Sequence, residues 1–199
     1  MVIKESVREA FEHLREELSK CYPEANVFNE GASSLQIGAV EEHTGWKIPV
    51  DLKSLLEIAN GQPDSKPGGF GGLSFLSTDL MIHCYDRWCE LVDYRTRPPL
   101  EESIRANPHI GSEYSAYPHW VPFARHSEES YDMLYIDPKP QSETGMVGQV
   151  FTQTDILISG PVIAVGLVDF LQRLTAEFKK QGSMTYVREL PAIELQAYK

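Results

Sequence analysis

The sequence predicts an α+β fold that combines helices with an antiparallel sheet. Two observations lead to this prediction. Apolar residues recur at helical spacing in the first 95 residues and again after residue 166. Between them, from Trp120 to Phe151, apolar β-forming residues fall in short runs separated by turn residues, which is typical of an antiparallel meander. That stretch contains no catalytic motif, so it suggests a fold without suggesting a reaction.

Two helices are predicted in the first 45 residues. The first covers residues 3–20, where Ser6 and Glu9 have the spacing of a capping box. Its apolar residues form one stripe, at Val7, Phe11, Leu14 and Leu18. The second covers residues 33–45, where Gln36 completes another capping box and a glycine provides the C-cap.

A third helix is predicted over residues 50–59. Pro49 holds the preceding residue in an extended conformation and so fixes where the helix begins. The helix has a stripe of residues expected to be buried, Leu52, Leu55, Leu56 and Ala59. Asn60 and Gly61 are expected to end it, because both residue types tolerate a positive φ.

The next predicted elements are a loop, a strand and a helix. Residues 63–72 hold two prolines and four glycines and are expected to form a loop, followed by a short strand at 73–76. Thr78 or Asp79 is expected to cap a helix that continues to residue 94. The Pro-Pro pair at 98–99 would end that helix.

The second half of the chain is predicted to be mostly strand. Residues 97–119 show no sustained periodicity and are expected to form a long loop. After the meander, one more strand is predicted at 161–165. A last helix follows, with apolar positions Leu167, Phe170, Leu171, Leu174 and Phe178, and Gly182 closes it. The tail contains a possible strand at 184–187.

The chain is expected to fold as one unit, since 199 residues with 42% hydrophobic content can bury a core of their own. We expect a single domain over residues 1–199. Its parts are a helical extension at 1–30, a core at 31–182 with an insertion at 97–119, and a tail at 183–199.

Localisation is predicted from two features of the sequence. No run is apolar enough for a membrane span, and the N-terminus is charged where a signal peptide would be apolar. We therefore expect a cytoplasmic protein without a membrane partner. Its three cysteines, Cys21, Cys84 and Cys89, cannot all pair, so reduced thiols are expected.

The net charge of −11 indicates which classes of partner the protein can attract. A negative charge of this size repels polyphosphate chains at long range. Direct nucleic-acid binding is therefore not expected. A basic protein is the kind of partner that such a field attracts. The alternative explanation is that the charge only keeps the protein soluble.

No motif predicts a cofactor, a metal or a catalytic site. His83, Cys84 and Cys89 are zinc-ligand types, but positions 84 and 89 point in different directions on a helix. The run from 68 to 72 is rich in glycine but lacks the lysine of a phosphate-binding loop, which favours a flexible turn. Ser127 follows His126, and neighbouring side chains in a turn diverge.

Acidic residues occur all along the chain, but Glu128, Glu129 and Asp132 cluster in the predicted turn between two strands and suggest an interface. We expect them to form an acidic surface that captures lysine and arginine side chains of a cationic partner. Nearby tyrosines support this, because tyrosine is enriched among interface anchors. The expected partner-binding residues are Glu101, Glu102, Glu113, Tyr114, Tyr117, Glu128, Glu129, Tyr131, Asp132 and Glu143. Solvated turn charges are the alternative explanation.

Five short motifs follow one another along residues 34–181: Gly-Trp-x-Ile-Pro, Asn-Gly, Trp-x-Pro, x-Asp-Pro and Gly-Gln-Val. In this order the chain resembles the SUKH superfamily, which includes bacterial toxin-immunity proteins and a fungal regulator of cell-wall assembly. The resemblance implies a twisted, mainly antiparallel sheet flanked by helices. It also implies architectural roles for Trp46, Pro49, Asn60, Gly61, Trp120, Pro122, Asp137 and Gly148.

The resemblance and the charge together suggest a non-enzymatic immunity protein that neutralises a cognate toxin, in particular one that attacks nucleic acid. The alternative is a regulatory scaffold that binds endogenous proteins, as the fungal branch does. A small hydrolase with an undetected site is a third possibility, and it would need an indispensable polar residue between 97 and 143.

Overall fold

The computed structural model describes residues 6–95, 121–127, 133–137, 146–153 and 156–183, with Tyr186 and Leu190. The helices in these ranges are α1 (Val7–Cys21), α2 (Ser34–Thr44), α3 (Val50–Ile58), α4 (Thr78–Arg95) and α5 (Leu167–Gln181), with a 3₁₀ turn at Pro23–Ala25. The strands are β1 (Ser74–Phe75), β2 (Val121–Arg125), β3 (Met133–Asp137), β4 (Met146–Gln153) and β5 (Ile156–Ala164). This mixture confirms the α+β class. The predicted loop at 97–119 and nearly all of the tail lie outside the described residues.

The five strands form one antiparallel sheet in the order β1-β2-β3-β4-β5. The predicted meander is therefore confirmed, and β1 extends it at one edge. β5 begins at Ile156, five residues before the predicted start at 161, because the paired residues of β4 continue to Gln153.

Two of the motif residues stand at irregularities of the sheet. The β2–β3 register shifts between Pro122 and Ala124, where the proline has no N–H to donate to a neighbouring strand. Gly148 lies between two register shifts in the β4–β5 pair. Asp137 is the last residue of β3, as expected for a strand-ending position. The turn beyond Asp137, and Trp120, lie outside the described residues.

The predicted helix caps are largely confirmed. Ser6 with Glu9 and Ser33 with Gln36 form complete capping boxes. The glycines after α2 and α5 adopt left-handed conformations at C-cap positions, with φ of 72° at Gly45 and 65° at Gly182. Pro49 is the N-cap residue of α3, as predicted.

The predicted role of Asn60 and Gly61 is corrected. Helix α3 already ends at Ile58, because its C-cap residue Ala59 is extended with a φ of −148°. Asn60 instead joins two segments, because its Oδ1 accepts a hydrogen bond from the backbone N–H of Thr78 at 2.8 Å. Gly61 has a φ of 77°, and a Cβ there would lie 2.3 Å from the backbone nitrogen of Ser77. The pair therefore holds the start of α4 against the end of α3.

The predicted cap of α4 is also corrected. Ser77 Oγ accepts the hydrogen bond from the backbone N–H of Leu80 at 3.3 Å, so Ser77 caps the helix instead of Thr78 or Asp79. The hydroxyl of Thr78 is buried and makes no hydrogen bond with the described residues. The sequence Ser-Thr-Asp offers three capping residue types in a row, and local pattern does not choose between them.

The core is centred on Phe70, which lies in the glycine-rich run and is fully buried. Its ring stacks on Phe75 at a centroid distance of 5.1 Å and meets Phe28, Phe123 and Phe170 at 5.9–6.4 Å. The run predicted as a flexible turn is thus a tight turn that inserts an aromatic ring into the core. Its backbone is hydrogen-bonded, with Phe70 and Leu73 each donating to the other's carbonyl.

Both ends of the described chain join this core. Helix α1, predicted as an extension, packs against α5 and α3 and buries its apolar stripe. Leu190 in the tail is buried as well. Trp46 was expected to present a large buried face, but it is only partly buried at the edge of the core.

Candidate functional site

The ten predicted partner-binding residues all lie outside the described residues. They are Glu101, Glu102, Glu113, Tyr114, Tyr117, Glu128, Glu129, Tyr131, Asp132 and Glu143. The acidic interface therefore stays a prediction. What the structure does place is the frame of its central segment: Arg125 at the end of β2 pairs with Met133 at the start of β3, so residues 126–132 connect two adjacent strands.

A buried arginine stands at this end of the sheet. Arg125 pairs with Ser74 of the edge strand β1, and its side chain is only 6% exposed. Its Nη1 donates to the sulfur of Cys84 on α4 at 3.6 Å, and its Nη2 lies 3.8 Å from Oδ1 of Asp64. The Asp64 side chain is 70% exposed, so the pair joins a buried cation to a solvated anion.

The arginine opens onto a cleft of about 400 Å³. The cleft lies between the loop after α3, the end of β2 and the C-terminal tail. Its walls include Tyr22, Asp64, Lys66, Gly72, Ser74, Arg125, His126, Ser127 and Tyr186. We refer to it as the Arg125 cleft.

The tail contributes one wall of the Arg125 cleft through Tyr186. The tyrosine ring lies directly on Gly72, whose φ is 87°, and a Cβ at Gly72 would be 2.6 Å from the ring. Glycine is therefore required there both for the backbone conformation and for the approach of the ring.

The positive charge of Arg125 is only weakly compensated by its two described partners, Cys84 and Asp64. Burial raises the pKa of the Cys84 thiol, and the attraction of Arg125 for the thiolate opposes this only in part. Cys84 is therefore a neutral thiol at physiological pH, and a thiol sulfur is a weak hydrogen-bond acceptor. The distance to Asp64 also exceeds that of a charge-assisted hydrogen bond, which is about 2.8 Å.

A second buried polar residue, Gln62, is bonded quite differently. Its Nε2 donates to the carbonyl oxygens of Ala25 at 2.8 Å, Val27 at 3.3 Å and Pro67 at 3.4 Å. Its Oε1 accepts from the backbone N–H groups of Gly69 at 2.9 Å and Phe75 at 3.1 Å. Gln62 thus ties two segments, residues 25–27 and 67–69, to β1.

Neither Arg125 nor Gln62 was singled out from the sequence. Arg125 ends an apolar run and precedes a polar turn, which is the usual place for an exposed strand end. Gln62 follows Asn-Gly and precedes proline, which is typical of a solvent-exposed loop. No signal in the sequence distinguishes these buried polar residues from exposed ones.

A match to a protein family covers residues 31–173, which is well over half of the chain. The matching family is described as the SMI1/KNR4 family, SUKH-1. The chain belongs to this SUKH family. The superfamily inferred from the motif order is thereby confirmed. No curated protein sequence matches the chain significantly.

The first SUKH motif, Gly-Trp-x-Ile-Pro, is held by Glu41 of α2. Its carboxylate accepts hydrogen bonds from the Ile48 backbone N–H at 3.1 Å and from Lys47 Nζ at 2.8 Å, and it pairs with Lys53 Nζ at 3.1 Å. Burial alone would raise the pKa of Glu41, but these interactions together lower it. The motif loop is therefore fixed to both α2 and α3, which supports an architectural role.

Trp46 of the same motif reaches α4. Its indole N–H donates to the hydroxyl oxygen of Tyr85, and this hydroxyl in turn donates to the carbonyl oxygen of Thr44 at 3.2 Å. Burial, with a smaller contribution from Cys89, raises the pKa of Tyr85 to about 12. This network joins α2 to α4 and leaves the tyrosine neutral.

The chemistry considered from the sequence can be placed only in part. Among the described residues, no group of three or more histidine, cysteine, aspartate or glutamate side chains is arranged to hold a metal ion. His126 and Ser127 both line the Arg125 cleft. Within the described ranges, no helix is both long and apolar enough to cross a membrane.

Proposed function

We propose that this SUKH protein is a cytoplasmic immunity protein that binds a cognate bacterial toxin and blocks it without chemistry of its own. Family membership supports protein binding, because SUKH members are generally non-catalytic. The observation that carries the choice of partner is the net charge of −11. A toxin that attacks nucleic acid has a basic substrate groove, and an acidic protein is complementary to that groove.

The acidic turn between β2 and β3 is the proposed centre of the interface. Glu128, Glu129 and Asp132 lie in this connection, and the antiparallel pairing of Arg125 with Met133 fixes both of its ends. Because two paired strands hold both ends of this short connection, the connection loses less conformational entropy when it binds a partner. The other predicted partner-binding residues would enlarge this surface.

The interface is tested by neutralising these three residues together, as Glu128→Gln, Glu129→Gln and Asp132→Asn. The association rate with the toxin is expected to fall about tenfold at low salt, because steering by charge is lost. The salt dependence of the rate should weaken as well. Stopped-flow fluorescence or surface plasmon resonance at several salt concentrations measures both.

A matched control removes the same charge elsewhere, as Glu16→Gln, Glu24→Gln and Glu42→Gln. All three residues are exposed and belong to α1, the 3₁₀ turn and α2. We expect this variant to lose much less of the association rate. Equal losses in the two triple variants would mean that net charge, and no particular surface, drives the encounter.

The immunity role itself is tested by growth protection. Expression of the toxin encoded beside this gene should arrest growth, and co-expression of the intact chain should restore it. Recovery of the toxin as a stoichiometric partner would agree with this result. Absence of protection, together with recovery of several endogenous proteins, would instead favour a regulatory scaffold.

A further inference from the structure

The Arg125 cleft combines a buried cation with open space in front of it. Arginine stays charged in proteins, and removal of that charge from water is costly unless anionic or polar groups replace the water. In the described part of the chain, the guanidinium has the Cys84 sulfur at 3.6 Å and an Asp64 oxygen at 3.8 Å. Both interactions are weak, so the guanidinium retains capacity for a stronger acceptor.

The surroundings of the cleft favour an anion over any other ligand. Lys66 and His126 line the same space, as does Ser127, whose hydroxyl group is a hydrogen-bond donor. Two positive groups, Arg125 and Lys66, thus lie at this cleft although the chain as a whole carries a net charge of −11. The charge of the cleft is therefore opposite to that of the acidic surface through which this chain is proposed to bind the toxin.

Asp64 indicates which anion fits. Its carboxylate already lies beside the guanidinium, and its side chain is 70% exposed and held there by one long ion pair. A guanidinium prefers to bind a carboxylate through two parallel hydrogen bonds, which the present distance does not allow. An incoming carboxylate carries the same charge as Asp64, so it could take the place of Asp64 without changing the charge of the site.

We propose that the Arg125 cleft is a carboxylate-binding site, in which a ligand carboxylate displaces Asp64 and pairs with Arg125 through two guanidinium nitrogens, Nη1 and Nη2. Lys66 at the rim contributes a second positive charge. A phosphate dianion fits less well, because it brings one more negative charge than the Asp64 carboxylate that it would replace. The proposal does not depend on the toxin-binding function, since the carboxylate belongs either to a small acid or to a side chain of a protein.

Titration with sodium acetate tests the site in the full chain. Backbone amide resonances of Gly68, Ser74 and Ser127 are followed by NMR, with sodium chloride at equal ionic strength as the reference. Saturable shifts with acetate and none with chloride are expected. Identical responses to acetate and chloride would overturn the proposal.

Variants on the two sides of the ion pair sharpen the test. Asp64→Asn removes the competing carboxylate from an exposed position and should tighten acetate binding about threefold. Arg125→Lys keeps the charge but loses the planar fork, and should weaken binding about tenfold. Lys180→Gln, which removes a positive charge from the surface of α5, should leave binding unchanged. Equal affinity in all three variants would contradict the proposal.

Two further probes identify the ligand class. Inorganic phosphate at matched ionic strength should bind more weakly than acetate, and a tenfold preference for phosphate would refute the carboxylate assignment. An aspartate flanked by glycines in an acetylated, amidated tripeptide distinguishes the two sources of the carboxylate. Tighter binding of this peptide than of acetate indicates a protein side chain, and equal binding indicates a small acid.

Discussion

Two buried polar residues, Gln62 in the loop after α3 and Arg125 at the end of β2, show how differently a fold can treat such groups. Gln62 makes five side-chain hydrogen bonds, all to backbone groups. Arg125, which also carries a charge, has a thiol sulfur and one distant carboxylate among the described residues. The neutral residue is thus fully bonded, whereas the charged residue is not.

This difference in bonding indicates a structural role for Gln62 and a ligand-binding role for Arg125. A buried amide whose donors and acceptors are all used determines how its neighbours pack, because any displacement leaves backbone groups unsatisfied. A buried cation with weak partners adds little to packing and costs desolvation. Retention of such a cation beside an open cleft is therefore better explained by a ligand than by stability.

The largest expected effect comes from Gln62→Met. This change keeps the approximate volume but leaves the N–H groups of Gly69 and Phe75 and several carbonyl oxygens without their partner. We expect the free energy of unfolding to fall by about 3 kcal/mol, since each buried unsatisfied group costs roughly 1–3 kcal/mol. Urea denaturation measures the change. Gln181→Met at the exposed end of α5 is the control and should stay within about 0.5 kcal/mol of the unmodified chain.

Asn60→Ala tests the fully bonded region at a second point. It removes the acceptor for the Thr78 N–H at the start of α4, and loss of a capping interaction costs about 1–2 kcal/mol. Asn29→Ala is a matched control, because Asn29 is exposed and its side chain donates to the carbonyl oxygen of Asn60, away from the Thr78 N–H. A similar loss in both variants would show that the loop, and not the cap, is responsible.

Glu41→Gln is expected to have a smaller and pH-dependent effect. The pKa of Glu41 is lowered in the folded state from its ordinary value of 4.5, so its contribution is present above that value and is lost as the pH falls through the lowered pKa. We expect a destabilisation of about 1 kcal/mol at pH 7 that diminishes as the pH falls below 4.5 and through the lowered pKa of Glu41. Denaturation over this pH range, with Glu42→Gln as the exposed neighbour, checks the difference. A loss that is independent of pH would mean that the charge of Glu41 is irrelevant.

Asp64→Asn should have the smallest effect on stability. The carboxylate is mostly exposed and lies 3.8 Å from the guanidinium, and exposed ion pairs contribute about 0–1 kcal/mol. We therefore expect a change below about 0.5 kcal/mol in the free energy of unfolding. Thermal or urea denaturation at low and high salt measures it. A loss comparable to that of Asn60→Ala would mean that Asp64 is a structural partner of Arg125.

The elements that local chemistry specifies could be predicted from the sequence. Ser6 with Glu9 and Ser33 with Gln36 satisfy the first N–H groups of their own helices, so the starts of α1 and α2 follow from residues three apart. The strands of the meander likewise follow from apolar runs between turn residues. Long-range bonds are different. Asn60 bonds to Thr78, eighteen residues further along the chain, and the Asn-Gly pair alone predicted the end of a helix.

The candidate site was not predictable for the same reason. The Arg125 cleft is formed by segments around residues 22, 64–74, 125 and 186, which only the tertiary fold brings together. The sequence pattern favoured acidic residues instead, because charge clusters are visible in a sequence and burial of a single arginine is not. The acidic interface and the cleft are independent predictions, and each has its own test.

The most direct test of the comparison is a pair of identical substitutions, Arg125→Met and Gln62→Met, with the free energy of unfolding measured by urea denaturation. Replacement of a weakly paired buried cation by an apolar side chain is often neutral or stabilising, and exposed Asp64 would not be left as a buried charge. We predict that the free energy of unfolding of Arg125→Met is equal to that of the unmodified chain within about 1 kcal/mol, or higher. The free energy of unfolding of Gln62→Met is expected to be about 3 kcal/mol lower. Equal losses in the two variants would contradict the distinction, since Arg125 would then be a structural residue.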